Sequence, residues 1–423
     1  MKSARSWIGC WPTKCQRRRS GEADAKTSCG TRAPLKFRFT DEQSMLQETA
    51  SRFLEEHSSS AVVRAAAVTD GLDRALWQRV VAELGWQAIP IPEADGGLDL
   101  GPVELAIVFE QTGRRLTPTP HFASALSALA VRTVPDGEAR QRLLAQLAEG
   151  AICSLAHTDA RPHWGTEGVA IEAQATPEGW SLSGAARFVG AGHAADELLV
   201  VARSTASGKL MLCAVPADSE GVTVTHQATL DQSRSMANLY CEGVHVGHSA
   251  VLCDDWEDSL AVVLNMGRIL VAAEQVGCAQ AALDMSVAYT GERIQFGRTI
   301  ASFQAIKHKA ADMMLKTESA RSLLYYAACT ADAWLRGAAT AQALEEAAHM
   351  VASSAGDAAF FVAGTAIQLH GGVGITEEYD VQLYFKRARA LESYLGRPDE
   401  SRAVIAGLLL DAPSVTGGQG HAA

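Results

Sequence analysis

The hydrophobic periodicity of this chain changes twice along its length, and this change restricts the fold more than any other feature of the sequence. From residue 40 to about residue 150 the apolar residues recur at helical spacing, and Thr40 with Gln43 is a plausible capping box. Residues 151 to about 252 instead form short runs of period two between Gly- and Pro-containing turns. Residues 258–410 return to helical spacing in long segments. The order helix, strand, helix therefore predicts an α+β chain of several domains.

These regions define the predicted domains of the 423-residue chain. We predict an N-terminal helical domain at 35–150, a middle β-barrel or sandwich domain at 151–256 and a C-terminal four-helix bundle at 257–412. A flexible tail is predicted at 413–423, because this segment is rich in Gly. Residues 1–34 are predicted to be a disordered or artefactual leader, and their arginine run leaves a transit peptide as the alternative.

Charge is distributed unevenly along the chain. The net charge is −11, but residues 1–34 hold eight Lys or Arg and two acidic residues, so the remainder carries 29 basic and 46 acidic residues. An acidic body of this kind repels phosphate backbones. Nucleic acid is therefore excluded as a predicted partner.

Cysteine usage and hydropathy indicate the compartment. The nine Cys include no C-x-x-C pair, so the sequence predicts neither a disulfide framework nor a metal site and fits a reducing, cytoplasmic location. No stretch is predicted to span a membrane. Residues 358–376 lack charge, but Gln368, His370 and four glycines interrupt them.

One candidate binding segment lies where two long helices of the predicted bundle meet. Residues 291–298 read Gly-Glu-Arg-Ile-Gln-Phe-Gly-Arg. The guanidinium groups of Arg293 and Arg298 are placed to bind an anionic group, and a guanidinium fork suits a diphosphate. Gly297 allows a tight turn. Taken alone, the segment is equally well explained as a solvated connection between helices.

A second candidate segment is rich in glycine. Residues 368–376 read Gln-Leu-His-Gly-Gly-Val-Gly-Ile-Thr. Three glycines in four positions let a backbone approach a ligand closely and present its N–H groups to phosphate oxygens. As a bare motif this pattern is more often an ordinary loop, and His370 taken alone is interpreted as structural.

In this order and at this spacing, the two segments resemble those of the acyl-CoA dehydrogenase family, and the resemblance extends from Phe37 to Leu410. The runs at 92–97, 230–234 and 241–246 agree with it. The resemblance implies a helical N-terminal domain, a β-barrel middle domain and a C-terminal four-helix bundle. It also implies FAD bound between the subunits of a homo-oligomer or of a heterotetramer with a paralogous acyl-CoA dehydrogenase. An acyl-CoA thioester is the implied substrate, and electron-transfer flavoprotein is the implied acceptor.

The same resemblance implies how individual residues contact FAD. Arg293 corresponds to a residue on the FAD diphosphate, and Phe188 is able to cover an edge of the flavin ring. Two further groups are implied: the neighbours of the adenosine, which are Phe296, Phe303 and Gln304, and a strip contributed from across the dimer interface, which is Gln368 with the backbone of Gly371 and Gly372.

The sequence departs from the family at the catalytic base. Most members remove the α-proton of the substrate with a Glu just before a Gly in the last helical region, and a second group uses a Glu on the first helix of the bundle. Leu395 and Gly267 stand at these two positions, and neither accepts a proton. Glu392 lies about one helical turn before Leu395 and is a candidate for a relocated base, although a solvated helix charge explains it better. No catalytic residue is therefore assigned.

The part of the β domain that contacts the flavin ring in the family is also altered. Residues 155–158 read Leu-Ala-His-Thr in place of Thr-Glu-Pro-Gly, and residues 188–190 read Phe-Val-Gly in place of Trp-Ile-Thr. Gly190 removes a hydroxyl that bonds near flavin N5. The adenine and diphosphate half of the predicted site is thus better kept than the isoalloxazine half. The backbone N–H of Leu395 is still able to polarise a thioester oxygen.

Four functions remain open from the sequence. The first is an FAD-dependent acyl-CoA dehydrogenase that desaturates an acyl-CoA thioester at the α,β bond, as a subunit that needs a paralogous partner. The second is a self-sufficient dehydrogenase with its base relocated to a residue such as Glu392. The third is a flavin monooxygenase or desulfinase-like enzyme of the same fold. The fourth is a non-catalytic protein that binds CoA esters.

Overall fold

The structure, a computed structural model, describes residues 39–161 and 163–410. The leader predicted at 1–34 and the tail predicted at 413–423 lie outside these residues. Within them, helices, strands and helices follow one another in the predicted order, so the three-part α+β architecture is confirmed. The limits between the domains stay predictions; the first strand begins at Cys153 and the first long helix of the bundle at Glu257.

Six α-helices precede the first strand in the described part of the chain. The predicted capping box at the start of the first helix is confirmed, because Gln43 N donates to Thr40 Oγ1 at 3.2 Å and Thr40 N donates to Gln43 Oε1 at 3.1 Å. These bonds satisfy N–H groups that the start of a helix leaves without partners. The helices are α1 (Asp41–His57), α2 (Ser60–Ala67), α3 (Arg74–Arg79), α4 (Pro102–Arg115), α5 (His121–Arg132) and α6 (Glu138–Ala148).

Helices α2 and α5 are not predicted by the periodicity of the sequence. Helix α5 is buried from His121 to Val131 on all sides, so its residues show no single apolar face. The Thr-Pro-Thr-Pro run before it indicates a loop. This helix bears on function because Phe122 and Leu126 reach the site described below.

The middle domain is a mixed sheet of eight strands. Its order is β6-β7-β3-β2-β4-β5-β8, with β1 paired to β4 in parallel. Two strands share one edge of β4: β1 pairs with the first half of β4, and β2 pairs with the last two residues of β4. The sheet therefore branches at β4. Among the described residues the pairings do not close this sheet, and the barrel form of the prediction is not found. The strands are β1 (Cys153–Ala156), β2 (Glu172–Thr176), β3 (Gly179–Gly190), β4 (Glu197–Ser204), β5 (Leu210–Pro216), β6 (Val222–His226), β7 (Met236–Gly247) and β8 (Val251–Cys253).

Long helices form the C-terminal part of the described chain. The first of them, α7, is apolar on nearly all sides and packs against α4 and against the next two helices of the bundle. Such a helix occupies the core of a helical domain. The elements are α7 (Glu257–Glu292), β9 (Ile294–Gln295), β10 (Arg298–Thr299), α8 (Gln304–Leu335), α9 (Ala341–His370), α10 (Val381–Glu392) and α11 (Pro398–Leu410).

By length and composition alone, two described helices are long and apolar enough to cross a membrane. No such segment was predicted from the sequence. They are α7 and the segment Ala341–Ile375, which contains α9. In α7, 89% of the most apolar 18-residue window is buried inside the protein, and in Ala341–Ile375 the buried share is 44%. Burial explains the composition of α7, because core helices pass the same test. The exposed part of α9 is a surface that another chain can cover.

Candidate functional site

The two positions at which the resembled family keeps its base lie against one another. Gly267 is in the first half of α7, and Leu395 follows the end of α10. A Cβ atom on Gly267 would lie 2.7 Å from Leu395 Cδ1 and 3.1 Å from Leu126 Cδ1. Leu395 itself is 1% exposed. The space that a Glu at position 267 would need is therefore filled by aliphatic side chains, and the buried side chain at the other position is itself aliphatic.

The backbone at Leu395 is strained and is held by a buried arginine. Leu395 has a φ of 63°, in the left-handed region, which costs a non-glycine residue about 1–2 kcal/mol. Its carbonyl oxygen accepts a hydrogen bond from Arg268 Nε at 2.9 Å, and Arg268 Nη1 donates to Asn265 Oδ1 at 2.7 Å. Burial lowers the pKa of Arg268 to about 10, so this side chain is still cationic at neutral pH. Arg268 thus fixes the turn that carries Leu395.

Four aromatic side chains, named here the aromatic cluster, pack where the middle domain meets the turn after α10. They are Phe122, Trp164, Phe188 and Tyr394. The ring centroids of Trp164 and Tyr394 are 5.0 Å apart, those of Phe122 and Tyr394 5.7 Å, and those of Trp164 and Phe188 6.1 Å. Trp164 Nε1 also donates to the carbonyl oxygen of Ser393 at 3.1 Å. The cluster therefore closes the region between the β1–β2 connection and α10.

Gly190 marks the place where the resemblance puts a hydroxyl near the flavin ring. A Cβ atom there would lie 3.6 Å from Tyr394 Oη. The cavity bounded by Gly190, Phe122 and Arg234 has a volume of about 30 Å³, enough for a few water molecules at most, since one water needs about 10–15 Å³ of such space. Sites for small organic ligands measure about 300–1,000 Å³. An isoalloxazine ring therefore does not fit here beside the aromatic cluster.

Arg234 supports the aromatic cluster from one side. Its guanidinium carbon lies 4.5 Å from the ring centroid of Phe122 and 5.0 Å from that of Tyr394, and it forms an ion pair with Glu274. Cation–π contacts out of water contribute about 2 kcal/mol. Burial raises the pKa of Tyr394, which keeps its phenol neutral. The charged pair and the two rings form one packed unit.

Arg387 joins the middle domain to α10. Its side chain is 3% exposed, forms an ion pair with Asp231, and donates from Nη2 to Ser233 Oγ at 3.0 Å. Asp231 and Arg234 belong to the run at 230–234 that supported the resemblance. In the structure this run ties two domains together.

Glu392, the candidate for a relocated base, is the last residue of α10 and forms an ion pair with Arg389. The guanidinium carbon of Arg389 lies 5.4 Å from the ring centroid of Phe360 on α9. The geometry agrees with the interpretation of Glu392 as a helix surface charge.

A larger cavity of about 370 Å³ opens beside Leu395 and is named here the Arg268 cavity. Gly396, the residue after Leu395, forms part of its wall. One of its two histidines, His349, is held neutral because burial lowers its pKa to about 3, and its Nδ1 lies 3.2 Å from Ser401 Oγ. The wall has polar residues His163, Thr166, Glu167, Asn265, Arg268, Glu345, His349, Glu400 and Ser401, and apolar residues Trp164, Leu260, Ala261, Leu264 and Val404.

The residues that the resemblance assigns to the outer half of FAD lie at one end of the helical bundle. We name them the outer surface, and all but the partly buried Phe303 are exposed to solvent. The rings of Tyr289 on α7 and His370 on α9 stack at 4.4 Å, which joins the two chain segments. The outer surface consists of Arg293, Phe296, Phe303, Gln304, Gln368, Gly371 and Gly372.

The β9–β10 hairpin presents the aromatic part of the outer surface. Ile294 pairs with Thr299, and the two-residue turn consists of Phe296 and Gly297 with φ angles of 54° and 76°. The predicted tight turn at Gly297 is thus confirmed, and it leaves Phe296 90% exposed. The guanidinium carbon of Arg298 lies 4.1 Å from the ring centroid of Phe303.

The two halves of the predicted FAD site differ in how well this chain suits the cofactor. The outer surface suits a diphosphate, because it offers both the exposed guanidinium of Arg293 and the exposed backbone of Gly371 and Gly372. A Cβ atom on Gly371 or Gly372 would have no atom within 4 Å, so a ligand can approach both. Phe188 packs on Trp164 within the aromatic cluster. The region predicted to hold the flavin ring is filled by the aromatic cluster. The residues of this chain alone therefore do not accommodate a complete FAD molecule.

Some residues of the site were not predicted from the sequence. Trp164 and Phe122 carry no motif, and their meeting with Tyr394 depends on three separate elements. The sequence did offer an indication that Arg268 belongs to the site, because it directly follows Gly267, which stands at one of the two family positions for the base. Its bond to the Leu395 carbonyl spans 127 residues of sequence and required the structure.

Models of one protein family match both helical parts of the chain. The model described as acyl-CoA dehydrogenase, N-terminal domain, matches residues 40–151, and the model described as acyl-CoA dehydrogenase, C-terminal domain, matches residues 256–410.

Individual relatives match nearly the whole chain. It is 34% identical to acyl-CoA dehydrogenase IpdE2 of Mycolicibacterium smegmatis over 85% of this chain and 96% of that protein. Among solved structures, the ChsE4–ChsE5 complex from Mycobacterium tuberculosis matches with a TM-score of 0.81 and 26% identity, covering 90% of this chain and 100% of the matched one. A variant of the Tcur3481–Tcur3483 steroid ACAD matches with a TM-score of 0.78 and 27% identity, covering 88% and 98%.

Proposed function

Because this chain belongs to the acyl-CoA dehydrogenase family, a family of flavoprotein oxidoreductases, we propose that it is one subunit of a heteromeric, FAD-dependent dehydrogenase that forms an α,β double bond in an acyl-CoA thioester. The observation that carries the proposal is the contact between Gly267 and Leu395. Both family positions for the base are occupied by residues that cannot accept a proton, and the side chains of Leu395 and Leu126 fill the space beside Gly267. A paralogous partner therefore supplies the base.

The proposed contribution of this chain is the outer surface. In this family FAD supplies the acceptor for the β-hydrogen of the substrate. Arg293 binds the diphosphate of a cofactor whose ring lies in the partner, and the backbone N–H groups of Gly371 and Gly372 bind phosphate oxygens. Phe296 and Phe303 cover the adenosine. Electron-transfer flavoprotein as the acceptor, and the cytoplasmic location, belong to the same proposal.

Exposed apolar side chains around the outer surface support a subunit contact there. Ile294, Phe296 and Ile375 are 62%, 90% and 74% exposed. Grouped apolar exposure of this kind marks an interface. The segment Ala341–Ile375, which ends at this surface, has 44% of its most apolar window buried within the single chain. A second chain seated on this end of the bundle would cover both.

The names of two solved relatives are consistent with a heteromer. The ChsE4–ChsE5 complex and the Tcur3481–Tcur3483 steroid ACAD each carry the names of two different chains. A homo-oligomer is the alternative assembly. It would place two base-lacking chains together and leave the proposed reaction without a proton acceptor.

A self-sufficient enzyme with Glu392 as its base is less well supported. The carboxylate of Glu392 is paired with Arg389, and Leu395, Leu126 and Tyr394 occupy the space beside Gly267 and Gly190. No observation favours the monooxygenase or desulfinase-like alternative over desaturation.

The test is to purify the chain alone and together with a paralogous dehydrogenase encoded beside it. We expect the chain alone to lack the visible absorbance of oxidised flavin. We also expect it to oxidise no acyl-CoA with an artificial electron acceptor. The co-purified complex should be yellow and active. Tight flavin binding and robust turnover by the chain alone would refute the partner requirement.

A variant pair separates the outer surface from general effects of lost charge. Arg293→Gln should lower the flavin content of the complex and weaken FAD binding at least tenfold. Arg52→Gln removes an exposed arginine of α1, far along the chain from the outer surface, and should leave flavin content unchanged. Equal flavin loss in both variants would contradict the assigned role of Arg293.

A further inference from the structure

We propose that Tyr289, His370 and Tyr379, named here the His370 stack, are positioning residues that set the spacing between the side chain of Arg293 and the glycine backbone of the outer surface. The inference rests on the proposed function, in which both of these groups bind the diphosphate of FAD. It adds to that function by assigning the alignment of the two groups to three aromatic rings that are not themselves part of the outer surface.

The His370 stack joins three separate segments of the chain. Tyr289 lies in the last turn of α7, His370 is the last residue of α9, and Tyr379 stands just before the start of α10. The rings of Tyr289 and His370 are stacked with centroids 4.4 Å apart, and the ring of Tyr379 stands edge-on to each of them at 6.1 Å. Aromatic rings attract one another in both arrangements at these distances. The three segments are therefore held together at the end of the bundle that carries the outer surface.

Backbone hydrogen bonds connect the position of Tyr289 to that of Arg293. The Arg293 N–H donates to the carbonyl oxygen of Tyr289 at 2.9 Å, and the Ile300 N–H donates to the carbonyl oxygen of Arg293 at 2.8 Å. Arg293 has φ and ψ of −68° and 120°, so the chain leaves the helix at this residue. The backbone that carries the exposed guanidinium is thus fixed on one side by the residue whose ring stacks on His370.

The glycine backbone is positioned from His370 in a similar way. Gly371 follows His370 directly and has a φ of 64°, in the left-handed region that favours glycine. A Cβ atom on Gly374 would lie 3.0 Å from His370 Cβ, so the loop returns to contact the histidine. His370 is itself buried, with its Nδ1 2.7 Å from the carbonyl oxygen of Ala366. A shift of His370 would therefore displace the loop that presents Gly371 and Gly372.

The segment that carries Tyr379 has a second contact, with the N-terminal helices. Arg64 Nη2 on α2 donates to Asp380 Oδ1 at 2.8 Å, and the side chains of both residues are about one third exposed. Ion pairs that face water to this extent contribute little to stability. The rings of the His370 stack, rather than this ion pair, are therefore the contact that holds the segment against α7 and α9.

The spacing of the two phosphate-binding groups matters because their hydrogen bonds are directional. A guanidinium group and backbone N–H groups bind one diphosphate tightly only when they reach its oxygens at the same time. Groups that are held in place before the ligand arrives lose less conformational freedom on binding. Without the His370 stack, Arg293 and the glycine backbone would still be present, but their relative position would no longer be fixed and the affinity for the diphosphate would fall.

The experiment measures the binding of FAD and of ADP to the co-purified heteromer after its flavin has been removed. Tyr289→Leu and His370→Leu should each raise the Kd for FAD at least tenfold. ADP carries the diphosphate and adenosine without the flavin ring, so its affinity, measured by displacement of FAD, should fall by the same factor. Turnover at saturating FAD should stay unchanged. Weaker FAD binding with unchanged ADP binding, or unchanged binding of both ligands, would overturn the inference.

Further variants separate positioning from a general loss of folding. Tyr289→Phe and Tyr379→Phe keep the ring and should bind FAD and ADP as the wild type does. Tyr379→Leu removes a ring that is 37% exposed, so it should weaken both ligands while thermal unfolding and co-purification remain as in the wild type. Loss of affinity in the Phe variants equal to that in the Leu variants would contradict a role for ring packing.

Tyr240→Leu is the matched control. Its ring contacts Arg187 within the middle domain, and its loss should change the affinity for neither ligand. Weakening in Tyr240→Leu equal to that in Tyr289→Leu would refute the inference. A wild-type heteromer that binds no FAD would refute the proposed function and the inference with it, whereas wild-type binding with unaffected Leu variants would refute the inference alone.

Discussion

The ring of Tyr289 stacks on the ring of His370 with centroids 4.4 Å apart and planes at 22°. Tyr289 lies four residues before Arg293, and His370 directly precedes Gly371. The two candidate binding segments, residues 291–298 and residues 368–376, are therefore held together by one aromatic pair. The His370 imidazole is buried, and its Nδ1 lies 2.7 Å from the carbonyl oxygen of Ala366, so the structural interpretation of this histidine agrees with its contacts.

We predict that Tyr289 and His370 are energetically coupled. In a double-mutant cycle with Tyr289→Leu and His370→Leu, the interaction should contribute about 0.5–1.5 kcal/mol to the free energy of unfolding, the range for stacked aromatic pairs. Urea unfolding of the four proteins measures it. Pairing His370→Leu with Tyr240→Leu, whose ring instead contacts Arg187, should give additive effects. A coupling energy indistinguishable from zero for the first pair would disprove the prediction.

The filled space at Gly267 makes a second prediction. Gly267→Ala places a methyl group 2.7 Å from Leu395 Cδ1 and should destabilise the protein by about 1–3 kcal/mol through overpacking. Adding Leu395→Ala should cost less in the Gly267→Ala background than in the wild type, because the clash is removed. Chemical denaturation of the four proteins supplies the comparison.

Gly291 provides the control for that cycle. It lies near the end of the same helix, and a Cβ there would have no atom within 4 Å. Gly291→Ala should stabilise the helix by about 0.5–1 kcal/mol, since alanine loses less backbone entropy than glycine. Equal destabilisation at both positions would show that contact with Leu395 does not govern the result at Gly267.

We predict that Glu392 is dispensable for turnover. Because its carboxylate is paired with Arg389 at the end of α10, Glu392→Gln should change kcat of the assembled complex by less than about twofold, whereas loss of a general base costs about 10²–10⁴. Steady-state oxidation of an acyl-CoA measures this. Arg389→Gln should behave alike. A hundredfold loss in Glu392→Gln with intact flavin content would restore the relocated-base hypothesis.

His121 should make the protein sensitive to mild acid. It is buried against the rings of Phe109 and Trp86, and burial lowers its pKa to about 4, whereas the unfolded chain titrates near 6.5. Between these values the unfolded state holds more protons, so the free energy of unfolding falls as pH falls. The contribution is complete above about pH 6.5 and is lost toward pH 4, at up to ~1.4 kcal/mol per pH unit.

Comparison of two variants isolates this effect. His121→Phe keeps an aromatic ring among its neighbours and should flatten the decline in stability between pH 6.5 and pH 4. His245→Gln changes an exposed histidine of β7 and should leave the slope as in the wild type. Urea midpoints measured at half-unit pH steps give the slopes. Parallel curves for wild type and His121→Phe would contradict the predicted role of His121.

Features set by neighbouring residues in the sequence were predictable. The capping box of Thr40 and Gln43 needs four consecutive residues, and the turn at Gly297 needs a residue that tolerates positive φ. The change from helical to alternating spacing also survives in the structure, because it reflects which side of each element is buried. The three-part architecture followed from these local signals.

Features that depend on distant contacts were not predictable in the same way. The sequence showed that Leu395 and Gly267 lack carboxylates, but it did not show that the Leu395 side chain fills the space beside Gly267. Helix α5 was hidden because it is buried on all sides. The aromatic cluster assembles Trp164 from a strand connection with Tyr394 from a helix end, and no spacing rule relates them.

The 90% exposure of Phe296 has a consequence for the life of this chain inside a cell. An exposed phenyl ring on a rigid hairpin favours self-association unless another molecule covers it. Copies of the chain produced in excess of such a molecule would therefore tend to aggregate. If the proposed partner covers Phe296, synthesis of the two polypeptides in matched amounts, as from one transcript, would keep unassembled copies scarce.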